Sequence, residues 1–397
     1  MPMQAEKIDI AIVGGGLAGG LTALAINRAC PMLPIGLFEA GQSFGGNHRW
    51  SWFEGDLDEA GTALMEPFEK AQWPGGNEVR FPSHTRRLSS DYRSLDSRSF
   101  DAALRRLLPQ EAIRTGSKVM GLDAQGVTLE GGKRVKARLV IDCRDAGPSE
   151  HLTGGWQIFL GQQLRSEKPH GIDRPIIMDA TVDQPGAYRF VYVLPLGPDE
   201  VFIEDTYYAN SPVLDEKLLR GRIAHYAAAQ GWEGQLVHEE TGVLPVITGG
   251  DFAAYRASLA TKGVALSGAR GGFVHPLTSY TLPIAVENAL AIAAQASDNL
   301  ESLPEFLEGR AEMHWRRTAY YRMLGKMLFD AAEPSERYRI FERFYRLPEP
   351  LIERFYAARS TPLDKLRILT GKPPVAVGRA VKALLGKGAP LVQGTNP

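Results

Sequence analysis

Ile8-Asp9-Ile10-Ala11-Ile12-Val13-Gly14-Gly15-Gly16-Leu17-Ala18-Gly19 decides the fold. A short apolar run meets a glycine cluster, and Leu17 to Ala29 then reads as a helix that ends before Pro31. Ile35-Gly36-Leu37-Phe38 is the next strand, and Glu39 closes it, 20 residues beyond Gly19. Each glycine has a task in a βαβ nucleotide turn. Gly14 permits the tight turn, Gly16 lets the backbone approach a pyrophosphate, and Gly19 lets the helix pack close to the sheet. The helix amino terminus favours phosphate charge, and Glu39 accepts from a ribose hydroxyl.

The rest of the chain narrows the class. Its 397 residues are too many for one core and predict two or three domains. A net charge of −1 gives no reason to expect nucleic acid as a partner. Two cysteines, Cys30 and Cys143, are too few for a zinc cluster or a secreted disulfide scaffold, which predicts a reducing, cytoplasmic compartment and no metal. Glycines interrupt the apolar stretch 8–26, so it reads neither as a signal peptide nor as a spanning helix. Residues 311–397 hold 16 Lys and Arg against 8 Asp and Glu, a basic and aromatic end on an acidic body that suits contact with anionic lipid.

The chain returns to the nucleotide twice. Arg138-Leu139-Val140-Ile141-Asp142-Cys143-Arg144 resembles the second flavin-contact strand of the glutathione-reductase and aromatic-hydroxylase class. Gly263 to Gly272, with Gly268-Ala269-Arg270 at its turn and Pro276 beyond, resembles that class's third flavin motif, with Ala269 where an Asp is usual. The fold class expected is therefore α/β. It comprises a Rossmann-like FAD-binding domain of this type, a β-sheet substrate domain and a helical C-terminal region. The FAD-binding domain is expected to be discontinuous, over 1–60, 96–150 and 260–300. Residues 61–95 and 151–259, read as mostly short strands, form the substrate domain, and 301–397 the helical region with a frayed tail. Residues 41–60 read as a loop, and Val119 to Val140 as a hairpin turning at Gly131-Gly132.

Four further segments carry a family resemblance. They are Gly45-Gly46-Asn47-His48-Arg49-Trp50-Ser51-Trp52, Phe202-Ile203-Glu204-Asp205-Thr206-Tyr207-Tyr208, Phe273 to Pro283, and Phe344 through Tyr356 to Pro374. With these the chain resembles the bacterial lycopene β-cyclases over essentially its whole length. It departs from them at Arg49, Cys143, Asp145 and Ser279. The resemblance implies a redox-neutral isomerisation, in which the linear ψ ends of lycopene close to β-ionone rings. It also implies reduced FAD as cofactor, NAD(P)H as electron source, and a carotenoid taken from the bilayer by a peripheral membrane enzyme.

Such a reaction needs an acid able to protonate an alkene, a dry site and a way to hold a carbocation. Glu204, in the family's acidic motif, is the expected acid, with Asp205 as neighbour. An ordinary Glu is only ~0.2% protonated at pH 7, so burial has to raise it. Successive strand residues face opposite sides, so the two carboxyls share a site only if the strand ends or bulges there. His48 and His275 are candidates to orient the flavin or accept the ring proton. Trp50, Trp52, Tyr207 and Tyr280 are candidates to face the cation. The cofactor contacts expected are Gly14, Gly16, Gly19, Glu39, Asp142, Arg144, Gly268, Arg270 and Pro276. Leu351, Ile352, Phe355 and Tyr356 form one helical stripe, read either as an interfacial helix or as core. A flavin monooxygenase or polyene reductase on the same architecture, and a flavin- or carotenoid-binding protein without turnover, are the competing readings.

Overall fold

Four consecutive buried residues in each of several short strands mark a sheet covered on both faces, as parallel sheets are. In the computed structural model, which describes residues 6–371 and 375–392, the elements that build the site follow in chain order. They are β1 (Ile10–Val13), α1 (Leu17–Ala29), β2 (Ile35–Phe38), β3 (Arg49–Phe53), β4 (Tyr92–Asp96), β5 (Leu139–Asp142), β6 (Ser149–Ser166), β7 (Tyr188–Pro195), β8 (Glu200–Ala209), β9 (Gly234–Gly250), β10 (Val264–Leu266) and α2 (Leu282–Asp298).

The parallel sheet has the order β10-β5-β1-β2 followed by Ile113–Arg114. Helices α1 and α2 pack together against it. An eight-stranded sheet stands beside it, with β6 at its heart. On one edge β6 pairs antiparallel with β9, and on the other with β8, which pairs in turn with β7. A small sheet of β3, β4 and Ala71–Trp73 bridges the two.

Four sequence expectations change here. The segment 41–60 is not all loop, since Arg49–Phe53 pairs with β4 in register. The region after 150 is built on two long strands of 18 and 17 residues rather than on short ones. Gly131 and Gly132 do turn a hairpin, at φ of 82° and 84°, but the hairpin joins Gly126–Leu129 to Arg134–Lys136 and Val119–Asp123 adds a third strand. The tail is ordered where it is described: Val377–Leu385 is helical, and Pro390–Leu391 pairs with β6; residues 372–374 and 393–397 lie outside the described residues.

The aromatic stripe near the C-terminus is core. Ile352, Phe355 and Tyr356 are buried in one cluster with Phe53, Tyr92, Tyr188 and Tyr345, and Leu351 is buried beside them in sequence. Among the described residues no helix is long and apolar enough to cross a membrane.

Candidate functional site

The glycine turn is built as its spacing predicts. Gly14 has φ +99°, and a Cβ there would lie 2.8 Å from the Cys143 carbonyl oxygen. At Gly19 a Cβ would fall 1.9 Å from the Gly14 carbonyl oxygen, so only glycine lets α1 approach β1 this closely. Gly16, by contrast, has nothing within 4 Å of a Cβ and caps α1 without a side-chain hydrogen bond, which leaves the helix's first amides open to an anion. Glu39 fixes the end of β2: its Oε2 accepts from Gly15 N at 2.8 Å and its Oε1 from Gly41 N at 2.7 Å.

The other expected cofactor contacts divide. Asp142 is buried at the end of β5, where its carboxylate takes Arg144 at 2.7 and 2.8 Å and an ion pair with Arg270 at 2.9 Å. All three groups are committed to one another and brace the ends of the parallel strands. Gly268, at φ +59°, lies against Ala18 of α1. Pro276 is buried, its carbonyl accepting from Ile247 N at 2.8 Å.

From this turn a cavity of about 310 Å³ opens toward the large sheet. Gly16, Leu17 and Gly45 line it together with Glu204 and a set of aromatic rings. His48, Trp50 and Tyr280 line it as expected. The structure does not bring Trp52, Tyr207, His275 or Asp205 to it, and each has a physical reason. Trp52 shares the face of β3 with Trp50, but its indole is fully buried in the core against which Trp50 packs only in part. Tyr207 alternates with Tyr208 on β8, and its hydroxyl donates to Val213 O at 2.9 Å behind the sheet. His275 is buried between Tyr321 and Phe355, its Nδ1 accepting from Thr278 N and its Nε2 near Phe355 O. Desolvation, first among the causes, pushes that imidazole down to about 3, so it is neutral and structural.

Asp205 is a second carboxyl only in sequence. The strand β8 runs unbroken through it, so its side chain faces away from that of Glu204. It is fully buried and bidentate with Arg189 at 2.6 to 3.1 Å, with Arg222 at 3.9 Å. Glu204 faces the cavity, accepts from Thr206 Oγ1 at 2.6 Å, and makes no ion pair within 4 Å among the described residues. Its surroundings push its pKa up to about 7, chiefly by desolvation, against the pull of the Thr206 hydroxyl.

Sequence reasoning missed much of the aromatic wall. Phe159 comes from β6, Phe190 and Tyr192 from β7, and Phe341 and Tyr356 from the C-terminal helices. A chain of hydroxyls runs from Ser51 through Tyr192 and Tyr92 to Tyr280 at 2.7, 3.1 and 3.2 Å. The phenol oxygens bond to one another; the rings of Tyr192 and Tyr280 line the cavity, and that of Tyr92 is in the core behind them. Ser279, also on the wall, sits at φ +57°, and its hydroxyl donates to Pro245 O at 2.8 Å. That left-handed backbone is one that glycine adopts more readily than serine.

The model of the family described as "Lycopene cyclase protein" matches residues 9–382. A lycopene beta-cyclase of Pseudescherichia vulneris is 46% identical over 95% of this chain and 97% of its own length. One of Pantoea ananas is 41% identical over 95% and 98%. Among solved structures, a geranylgeranyl bacteriochlorophyll reductase-like protein of Thermoplasma acidophilum is similar at a TM-score of 0.62 and 14% identity, over 96% of this chain and 99% of that one. A p-nitrophenol 4-monooxygenase of Pseudomonas putida is similar at 0.60 and 15%, over 89% and 99%. At that identity the likeness is one of fold, the Rossmann-like FAD-binding type.

Proposed function

The chain belongs to the lycopene cyclase family, and from that premise we propose that it closes the ψ ends of lycopene to β-ionone rings with Glu204 as the acid. The observation that carries this is the position of Glu204. It is a carboxyl without an ion pair among the described residues, raised to about 7, on the wall of an aromatic cavity that begins at the glycine turn. Near neutral pH a large fraction of it holds a proton, where an ordinary Glu would hold almost none.

The chemistry balances without net oxidation. The π pair of the terminal double bond takes the Glu204 proton, leaving a carboxylate and a tertiary cation. The next double bond attacks that cation and closes the ring. A ring C–H proton then leaves to a base, for which His48 on the cavity wall is our candidate. Trp50, Tyr280 and the neighbouring rings offer π faces to the cation and, with their hydroxyls engaged, few oxygens to trap it.

The residues present fit FAD. The uncapped amides of α1 and the open face of Gly16 suit a pyrophosphate, Glu39 a ribose, and Gly45 and Gly268 a close backbone approach. When bound in its reduced form, FAD supplies negative charge near a developing cation. We take NAD(P)H as the donor that keeps it reduced, consumed far less than once per ring.

For the membrane we propose two helices in place of the buried stripe. On α3 (Pro362–Leu369), Leu363, Leu366 and Leu369 are exposed, Leu363 at 78%, and on α4 (Val377–Leu385) so are Val381, Leu384 and Leu385, the last at 84%. Residues 362–392 hold six Lys or Arg and one acid, Asp364, which Arg354 already pairs. Apolar residues set among cations suit a peripheral seat on anionic lipid. Leu366→Asp with Leu385→Asp is expected to abolish co-sedimentation with anionic liposomes. Unchanged binding would discard this surface.

The test of the function supplies lycopene in liposomes to protein with FAD and NADPH, without oxygen. Ring products without stoichiometric NADPH consumption, absent from Glu204→Gln, are expected. Products reduced in step with NADPH would replace the cyclase by a polyene reductase.

A further inference from the structure

A second glutamate stands across the sheet from the first. On β6, Gly161 is opposed by Glu204 of β8 on one edge and by Glu240 of β9 on the other. Residues in one row point to one face, so both carboxyls rise on the same side, their backbones two strand spacings or about 10 Å apart. The residue between them has no side chain. The Phe202 ring lies over it instead, 2.3 Å from where a Cβ would stand. Above that ring, at 5.1 Å from its centroid, is the guanidinium of Arg49, which acts electrostatically on both carboxyls.

Glu240 is buried to 2% exposure, and its Oε2 has no hydrogen-bond partner among the described residues. The backbone N–H of Arg49 bonds its carboxyl, yet no cation of the described residues pairs with it. Arg49 itself is held by Asp96 at 3.5 Å and Ser94 at 3.4 Å. A charged, unpaired carboxylate in such a place would be very costly, so Glu240 belongs there in its protonated form.

We propose that Glu240 is a positioning residue for the proton of Glu204, the two carboxyls and Arg49 holding protons as one unit, so that Glu204 remains an acid to higher pH than it would alone. This rests on Glu204 being the acid. Two carboxyls under one field cannot both ionise freely, and they lose their protons in two steps that belong to the pair. Desolvation, then the Glu204 charge, push Glu240 up to about 8, beside about 7 for Glu204. The other charged groups facing the pair are Asp96, Arg98 beyond it, His238 two residues along β9, and Asp205 behind β8.

The test is the pH profile of cyclisation by the FAD-loaded enzyme on lycopene liposomes, for wild type, Glu240→Gln, Glu240→Met and Glu204→Gln. The wild-type alkaline limb is expected to spread over two ionisations. In both Glu240 variants it should be a single ionisation with an earlier midpoint, and the ratio of wild-type to variant turnover should grow about tenfold between pH 6 and pH 9, the size of one unit of coupling. The infrared carbonyl band of protonated carboxyl groups should titrate in two steps in wild type and one in the variants. The Met variant, apolar and of similar length, covers the case in which Gln does not fold. Profiles that overlay wild type while Glu204→Gln is inactive would overturn the role of Glu240 alone. An active Glu204→Gln would overturn the acid on which it rests.

Discussion

Glu204 and Asp205 are adjacent in the same strand, the first half-buried and the second fully buried, and chemically opposite. The front of β8 gives Glu204 a hydroxyl, aromatic rings and open space. The back gives Asp205 the whole fork of Arg189, with Arg222 behind it. Burial pushes both carboxyls up, and on the back the guanidinium of Arg189 pulls down again. The lesson is that burial alone does not make an acid catalyst. A buried carboxyl with a bidentate cation holds the sheet together, and one without a cation keeps its proton.

Four experiments can break or sharpen this contrast. The largest effect is expected from Glu204→Gln, which should lose about a thousandfold in turnover, or about 4 kcal/mol, while FAD absorbance holds and the unfolding midpoint does not fall. Next comes Asp205→Leu, which strands Arg189 in the interior. It should lose about 3 to 4 kcal/mol in chemical unfolding, and Arg189→Met added to it should recover most of that. If Asp205→Leu instead lost turnover at full stability, the two faces would have been misassigned.

The third effect is pH-linked stability. Glu204 has a folded pKa of about 7 against an ordinary 4.5. Its contribution is therefore fully present below pH 4.5 and is lost as pH rises through 7. Wild type should lose roughly 2 to 3 kcal/mol relative to Glu204→Gln across that window in apo protein. The smallest effect is that of Thr206→Val. Removing the hydroxyl that Glu204 accepts should move the alkaline limb of turnover upward by about half a unit, at a stability loss of about 1 kcal/mol.

How much of this the sequence carried depends on the range of each constraint. The glycines of the first turn act within six residues, and their spacing with Glu39 gave the βαβ unit directly. Glu204 came from the resemblance, while the pattern of Glu200 to Asp205 read as a strand by itself. What stayed hidden was set at long range. Glu240 joins Glu204 only because two long strands pair with β6 at the same residue, and nothing near Glu240 in sequence signals that register. The same alternation that sent Asp205 to the back sent Tyr207 away from the cavity. Its type and proximity to the motif were right and its parity along the strand was wrong, whereas Trp52 has the parity of Trp50 and was taken up by the core. The aromatic stripe at 351–356 had two readings at one periodicity, and packing against Phe53 and Tyr188 selected the core.

Ser279 carries a consequence for how this protein tolerates change. Its left-handed backbone costs about 1 to 2 kcal/mol, and the bond from its hydroxyl to Pro245 returns about 1. Replacing it with Gly would exchange one for the other nearly evenly. A library screened for survival to heating would therefore pass over this position in silence. The same library screened for pigment colour would not, because the hydroxyl ties the turn that carries Tyr280 to the strand that carries Glu240.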